Sequence, residues 1–280
     1  MRVVEPERPS LAIPEQLTAR ALDLATGDGE WTAPEARDAA TVILLRDGPD
    51  GVEVFLQRRI NRMTFAPGMY VFPGGRVEES DAVVAWSGPS DEPFPLSRGA
   101  GATASFRALT TAGARETWEE AGTVLARGSE GPVRDTPVEP EADFVAWMDR
   151  HGYQIDGYSF RAWSHWITPE VENKRFDTRF LVALLPDGQH AVDRGIESDH
   201  SSWFTPAAAL AGARSGAMPM LPPTTDALSQ LAGFPTARDA FDAAADRSPR
   251  PWLPRPFLDS AGEIEWRLVD AYSGEPIELP

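Results

Sequence analysis

The spacing of apolar positions predicts an N-terminal helix followed by a β-hairpin. Residues 13–31 (IPEQLTARALDLATGDGEW) repeat apolar side chains at helical intervals and end in a Gly/Asp stop signal. The next two runs, ATVILLRD and VEVFLQRR, are rich in strand-forming residues and flank the turn-forming cluster GPDG. Because such a cluster joins antiparallel strands, the two runs are predicted to pair as a hairpin.

Strands and helices continue to alternate after the hairpin, which predicts an α/β protein. MYVFPGG indicates a short strand interrupted by proline and glycine, and residues 83–103 are rich in Pro, Gly and Ser and predict a loop. A helix is expected from about Ser105 to Ala121, ending at Gly122, where a residue without a Cβ can adopt the left-handed conformation. Three strands (YSFRAWSHWITP, RFDTRFLVALLP, SSWFTP) and two short helices (PAAALAGARSG, TTDALSQLAGF) are expected after it.

Three glutamates crowd the last turns of the predicted central helix. Glu116, Glu119 and Glu120 are spaced i, i+3 and i+4, so their side chains project from one face as a cluster of like charges. The C-terminal end of a helix already carries partial negative charge, which disfavours carboxylates there. We therefore expect a cation to neutralise the cluster, and hard divalent cations prefer such oxygen ligands. The alternative is an ordinary solvated helix face.

Composition and charge exclude several classes of function. The 280 residues carry a formal net charge of -17 and include no cysteine, which excludes disulfides, thiolate zinc sites and cysteine nucleophiles. The negative charge disfavours binding to nucleic acid, although local arginines and metal ions can hold a small anionic substrate. Neither a signal peptide nor an apolar run of membrane-spanning length is present in the sequence. We expect a cytoplasmic protein without membrane contact, and homodimer formation stays open.

Two motifs together resemble the signature of the Nudix hydrolases. GGRVEESD is followed by RETWEEAGT. In this family a glycine is followed by an acid and then by Arg-Glu-aliphatic-x-Glu-Glu-x-Gly-aliphatic. The matching positions are Gly75, Asp81, Arg115, Glu116, Glu119, Glu120 and Gly122.

The match departs from the usual pattern in three ways. Asp81 replaces a glutamate, and Thr117 and Thr123 occupy positions that are usually aliphatic. Gly75 and Arg115 stand 40 positions apart, which is far more than usual and predicts an insertion at about 82–103.

The interrupted motif and its flanks resemble one branch of the family, the coenzyme A diphosphatases typified by the peroxisomal enzymes of animals. The flanks are FLQRRINRMTFAPGMYVFPGG and HWITPEVENKRFDTRFLVALLP, and the resemblance covers roughly Ala39 to Gly233. It implies a Nudix fold, an α/β/α sandwich with a mixed central β-sheet. The predicted domain spans 39–235, between an N-terminal extension with a helix (1–38) and a proline-rich C-terminal extension (236–280).

The resemblance also implies an activity and a cofactor. A Nudix diphosphatase of this branch uses Mg²⁺ or Mn²⁺ to hydrolyse the pyrophosphate bond of a nucleoside diphosphate derivative, here coenzyme A or acyl-CoA. ADP-ribose or a dinucleotide is the alternative substrate. A Nudix-fold module that binds a nucleotide without turnover is an alternative of a different class. The intact glutamates of the motif favour an enzyme.

Site roles follow from the same resemblance. Arg115 is expected to orient a glutamate, and Asp81, one carbon shorter than the usual Glu, is expected to reach a metal through a water. Glu119 or Glu120 is the candidate general base. The expected metal ligands are the backbone carbonyl of Gly75 and the side chains of Glu116, Glu119 and Glu120.

Substrate contacts are expected from strands on both sides of the motif. Glu197 of GIESDHSSWF is expected to supply a further catalytic acid, and His200 stands where the second acid of that arrangement usually lies. The expected substrate-binding residues are Arg58, Arg59, Phe72, Arg76 and His200. Arg58 and Arg59 are alternatively surface residues of a strand. Trp163, Trp166 and Trp203 can stack on an adenine, but aromatic residues at strand spacing are more often part of a core.

Overall fold

In a computed structural model, the structure describes residues 17–60, 66–89, 104–134, 143–194 and 198–277. The described helices are α1 (Thr18–Thr26), α2 (Phe106–Ala121), α3 (Phe144–His151), α4 (Pro206–Ser215), α5 (Pro222–Leu231) and α6 (Ala237–Ala243). The described strands are β1 (Arg37–Gly48), β2 (Gly51–Arg59), β3 (Tyr70–Val71), β4 (Gly74–Arg76), β5 (Trp86–Ser87), β6 (Ala126–Gly128), β7 (Gly131–Pro132), β8 (Gln154–Asp156), β9 (Phe160–Ile167), β10 (Phe176–Leu184), β11 (Ser198–Phe204), β12 (Pro251–Leu258) and β13 (Ile264–Asp270).

A mixed sheet forms the centre of the molecule. Its strands lie in the order β11-β2-β1-β10-β9-β12-β13, with β3 beside β2 and β4 beside β1. The predicted hairpin is present, because β1 and β2 pair antiparallel around the turn at Gly48 and Gly51. β1 pairs parallel with β10, and β10 pairs antiparallel with β9.

Each face of the sheet carries its own hydrophobic core. On one face, Val42, Leu44 and Leu181 pack with Leu109 and Trp118 of α2 in a single cluster of buried residues. The opposite face packs against α4, α5 and α6 in a second cluster of buried residues. Side chains of a strand alternate between the two faces, so the near-continuous apolar run of β1 serves both cores. The predicted α/β/α sandwich with a mixed central sheet is therefore confirmed.

A second, smaller sheet stands beside the α2 core. Its strands lie in the order β5-β8-β6-β7. Trp86 and Ser87 at the start of the predicted insertion form β5 and pair with β8. This part of the insertion therefore contributes a strand where the sequence pattern predicts a loop, and residues 90–103 of the insertion lie outside the described residues.

The proline-rich C-terminal segment forms regular structure that the sequence pattern does not predict. β12 and β13 pair antiparallel, from Trp252 opposite Asp270 to Leu258 opposite Ile264. β12 also pairs parallel with β9, but only through Pro251 and Trp252. Because this second ladder is so short, the prolines further along β12 remove few of its hydrogen bonds. The hairpin thereby extends the main sheet, while the domain boundary at residue 235 stays a prediction.

Candidate active site

The helix that carries the glutamates has well-defined ends. At its start, the Ser105 side chain accepts a hydrogen bond from the backbone N–H of Ala108 at 3.2 Å. At its end, Gly122 adopts a left-handed conformation with φ 67°. Its N–H donates to the carbonyl of Trp118 at 3.1 Å. Both ends match the predicted bounds, and they fix the position of the last turn relative to the sheet.

Glu116 lies directly against the glycines of β4. A Cβ built on Gly75 would stand 2.2 Å from Oε1 of Glu116, so only glycine leaves room for this carboxylate. The Glu116 side chain is 15% exposed and that of Glu119 is 38% exposed. Both side chains line a cleft that the two glycines of β4 also border. The structure thus brings together Gly75, Glu116 and Glu119.

Glu120 points to a different place from the other two glutamates. Its Oε2 accepts a hydrogen bond from the backbone N–H of Gly74 at 3.0 Å. The same oxygen accepts a second hydrogen bond from Nε2 of Gln57 at 2.5 Å. The residue is buried and is not among those lining the cleft. Glu120 therefore anchors the strand that carries Gly74 and does not reach the cleft.

Arg115 is the cation within the glutamate cluster. Its Nη1 contacts Glu116 at 2.8 Å and Glu119 at 3.4 Å. Its Nε and Nη2 contact the carboxylate of Asp81 at 3.0 and 3.2 Å. Nη2 also donates to the carbonyl of Arg76 at 2.9 Å. Arg115 therefore supplies part of the positive charge that neutralises the glutamate cluster.

The contacts of Asp81 contradict its predicted role. Its side chain is fully buried and accepts hydrogen bonds from Arg115 and, at 2.8 Å, from the backbone N–H of Glu78. The expectation that Asp81 reaches a metal through a water is therefore wrong. Asp81 caps the 3₁₀ turn at Glu79–Ala82 by accepting a hydrogen bond from the backbone N–H of Glu78. It also orients Arg115 through the two hydrogen bonds that its carboxylate accepts.

The local electrostatics follow from burial and from these contacts. Burial lowers the pKa of Arg115, but the hydrogen bonds and charges of Asp81 and Glu116 outweigh it and raise that pKa above its ordinary value. Burial raises the pKa of Glu119, and the charge of Arg115 only partly opposes the shift. Arg115 therefore stays charged, whereas Glu119 takes up a proton more readily than an exposed glutamate does.

The cleft has a volume of about 640 Å³ and combines a polar end with an apolar wall. The polar end comprises the β4 glycines, Arg115, Glu116 and Glu119. The wall comes mainly from strands and helices far along the chain. Its lining includes Trp166, Ile167, Thr168, Pro169, Glu172, Phe176, Phe180, Leu221, Pro222, Pro223 and Pro254.

Only some of the predicted substrate-binding residues reach the cleft. Arg59, Phe72 and Arg76 line it. Arg58 does not, because neighbouring residues of a strand point to opposite faces. Arg58 instead forms an exposed ion pair with Asp199 at 2.7 Å.

Two further predicted site residues, His200 and Glu197, belong to β11 and the segment just before it. His200 is exposed, pairs with Arg58 across the strands, and is absent from the residues lining the cleft. As placed, His200 and Arg58 lie outside the cleft, so their predicted substrate contacts are not supported. Glu197 lies outside the described residues, and its catalytic role stays a prediction.

Comparison with solved structures identifies the family. A crystal structure of a Nudix hydrolase from Alicyclobacillus acidocaldarius is similar to the chain, with 30% sequence identity and a TM-score of 0.63. The match covers 76% of this chain and 97% of the other. The chain belongs to the Nudix hydrolase family. It is accordingly a pyrophosphatase-type hydrolase, as the sequence motifs imply.

Two curated relatives of this Nudix hydrolase carry the same enzyme name. The chain is 26% identical to the acyl-coenzyme A diphosphatase NUDT19 of Gallus gallus, over 82% of this chain and 77% of the relative. It is 24% identical to the enzyme of the same name from Xenopus laevis, over 70% of this chain and 64% of the relative. No family model matches the chain.

Nudix hydrolases generally need divalent metal ions. Within the described part of this hydrolase, no three acidic or histidine side chains form a ready-made set of metal ligands. Mg²⁺ nevertheless needs only one or two carboxylates, because waters and substrate phosphates complete its coordination. Glu116 and Glu119 meet that requirement, since both are oxygen donors at the polar end of the cleft. The residues present therefore fit a hard divalent cation.

The aromatic residues of the Nudix hydrolase divide between core and cleft. Trp163 is buried beneath the guanidinium of Arg247, 3.7 Å from the ring centroid. Trp203 packs edge-to-face on Phe55 at 5.4 Å. Trp166 lines the cleft and is backed by Trp252 of β12 at 5.1 Å. Sequence reasoning gave most of this wall no role, although its β9 and β10 residues lie in the flank HWITPEVENKRFDTRFLVALLP that carries the family resemblance. Within the described residues, no helix is long and apolar enough to cross a membrane.

Proposed function

We propose that this Nudix hydrolase cleaves the diphosphate of coenzyme A or acyl-CoA with the help of Mg²⁺ or Mn²⁺. The products are adenosine 3′,5′-bisphosphate and a phosphopantetheine. The observation that carries the proposal is a single cleft lined both by the carboxylates of Glu116 and Glu119 and by many apolar side chains. Such a cleft suits a diphosphate attached to an extended, partly apolar arm. The similarity to two acyl-coenzyme A diphosphatases supports the same substrate class.

The polar end of the cleft accounts for the chemistry. Glu116 and Glu119, with the backbone carbonyl of Gly75, would hold the divalent cation. When bound, such a cation neutralises charge on phosphate oxygens and makes a water nucleophilic. Arg115 fixes the direction of both glutamates through its Nη1 contacts.

Of the two candidate general bases, the geometry favours Glu119. Its carboxylate reaches the cleft, where it can accept a proton from a water, whereas Glu120 is occupied by Gly74 and Gln57. A general base must lie within hydrogen-bonding reach of the proton that it takes. We therefore assign proton transfer to Glu119 and a positioning role to Glu120.

Substrate identity is tested by comparing kcat/KM for coenzyme A, a long-chain acyl-CoA, ADP-ribose and NADH, each with Mg²⁺ and with Mn²⁺. The proposal predicts the highest kcat/KM for the coenzyme A species. Glu263→Gln, which changes an exposed acid, serves as the control for charge, and Glu119→Gln should lose turnover. A clear preference for ADP-ribose or NADH would contradict the assigned substrate and leave the family intact.

A further inference from the structure

Glu172 is an acidic residue in the cleft that the proposed chemistry does not use. It lies in the loop between β9 and β10, is half-buried, and lines the cleft. Its side chain forms no hydrogen bond or ion pair within the described residues. Burial raises its pKa, and the charge of Arg20 opposes that shift only in part. This carboxylate is open to the cleft and is a hydrogen-bond acceptor that a donor group of a ligand can reach.

The loop that carries Glu172 is fastened by both terminal segments of the chain. Arg20 of α1 donates from Nη1 to the carbonyl of Val171 at 2.9 Å. Trp31 donates from Nε1 to the carbonyl of Glu170 at 2.7 Å. From β12, Arg255 makes two hydrogen bonds to the carboxylate of Glu170, at 2.9 and 3.0 Å. These contacts hold the loop, so the backbone from which the Glu172 side chain extends is fixed before substrate binds.

The position of the loop separates Glu172 from the phosphate chemistry. β4, with Gly75, pairs with β1, which is followed in the sheet by β10 and β9. Strands lie about 4.8 Å apart, so β9 is about 14 Å from β4 across the sheet. Glu172 lies in the loop that joins β9 to β10, and Trp166 and Pro169 at the end of β9 line the same cleft. If the diphosphate of the substrate lies at the β4 glycines, another part of the substrate reaches Glu172.

We propose that Glu172 is a specificity-determining residue that accepts a hydrogen bond from an N–H group on the substrate moiety beyond the diphosphate. On the proposed function, from which the identity of the substrate comes, this donor is the exocyclic amine of adenine or an amide N–H of the pantetheine arm. A charged acceptor in a largely apolar wall discriminates strongly, because a ligand without the donor leaves the acceptor unpaired.

Steady-state kinetics of the full chain test the proposal. The variants are Glu172→Ala, which removes the acceptor, and Glu172→Gln, which keeps a neutral acceptor of the same shape. Glu263→Gln makes the same chemical change on the surface and is the control. The substrates are coenzyme A, its analogue with hypoxanthine in place of adenine, and ADP-ribose. Because the Glu172 side chain bonds nothing in the described protein, melting temperatures of the variants should stay close to wild type.

The expected result for coenzyme A is a rise in KM of about tenfold or more for Glu172→Ala, with kcat little changed and Glu172→Gln in between. If adenine is the donor, the rise disappears with the hypoxanthine analogue. If the pantetheine amide is the donor, the rise persists with that analogue and disappears with ADP-ribose. An unchanged KM for every substrate, or a loss confined to kcat, would overturn the proposal.

Failure of the proposed function gives a different pattern. Wild-type protein would then reject coenzyme A but turn over ADP-ribose, and the proposal about Glu172 would be decided on that substrate. A rise in the KM of Glu172→Ala for ADP-ribose would still support an adenine contact. An unchanged KM would overturn it.

Discussion

Replacing Arg115 with methionine should destabilise the fold severely, because it leaves a buried carboxylate without its partner. Asp81 is fully buried, and two nitrogens of Arg115 contact its carboxylate at 3.0 and 3.2 Å. Breaking a buried pair by removing one partner costs about 3 to 5 kcal/mol. For a chain of this size the loss corresponds to a fall of about 6 to 20 °C in melting temperature.

A double-mutant cycle separates this loss from the removal of apolar contacts. Asp81→Asn alone removes the charge but keeps an acceptor for the backbone N–H of Glu78, which now donates to Asp81 at 2.8 Å. With Asn at 81, Arg115→Met no longer strands a buried charge. The double variant should therefore be more stable than the sum of the single losses predicts, by about 1 to 3 kcal/mol.

Urea unfolding at neutral pH gives the free energy of unfolding of wild type, the two single variants and the double variant. Losses that add within about 0.5 kcal/mol would refute the reasoning, because they would mean that the two side chains do not interact. A loss below about 1 kcal/mol for Arg115→Met would refute the assigned burial of the pair in the same way.

Two further predictions concern other buried carboxylates. Glu120→Gln should change the free energy of unfolding in EDTA by less than about 1 kcal/mol, because glutamine can still accept from Gly74 and can donate to Oε1 of Gln57, which has no partner in the described protein. Because glutamine keeps the hydrogen bond that positions the glycine strand, its turnover should fall by no more than about tenfold, and a variant that melts normally but loses turnover hundredfold or more would contradict the positioning role. Burial raises the pKa of Asp226 to about 6, against a partial opposing effect of Gln230, so wild-type stability should fall as the pH rises from about 4 to 6. Asp226→Asn should remove that dependence and gain on the order of 3 kcal/mol at neutral pH in urea titrations, whereas an unchanged pH profile would contradict the shift.

The elements that the sequence predicted well are those set by local signals. The β1–β2 hairpin follows from two apolar runs around a Gly-Pro-Asp-Gly turn, and α2 has the serine cap and glycine stop that its sequence indicates. The placement of Glu116 beside Gly75 agrees with the motif, because the motif encodes a helix packed against a glycine strand.

Long-range pairing explains what the sequence could not predict. β12 joins the sheet through only two residue pairs with β9, and its prolines are typical of loops. Strand direction decides that Arg59 lines the cleft while the adjacent Arg58 does not, and one residue of register reverses such an assignment. The pairing of Asp81 with Arg115 also depends on how the chain folds back after the insertion.

The most direct test of the account measures release of adenosine 3′,5′-bisphosphate from coenzyme A by EDTA-treated protein, before and after Mg²⁺ or Mn²⁺ is added. The account predicts no release in EDTA, full recovery on adding either cation to wild type, and no recovery in Glu116→Gln despite a normal melting curve. Hydrolysis that continues unchanged in EDTA, or a Glu116→Gln variant as active as wild type, would contradict the claim that a divalent cation at Glu116 and Glu119 drives cleavage.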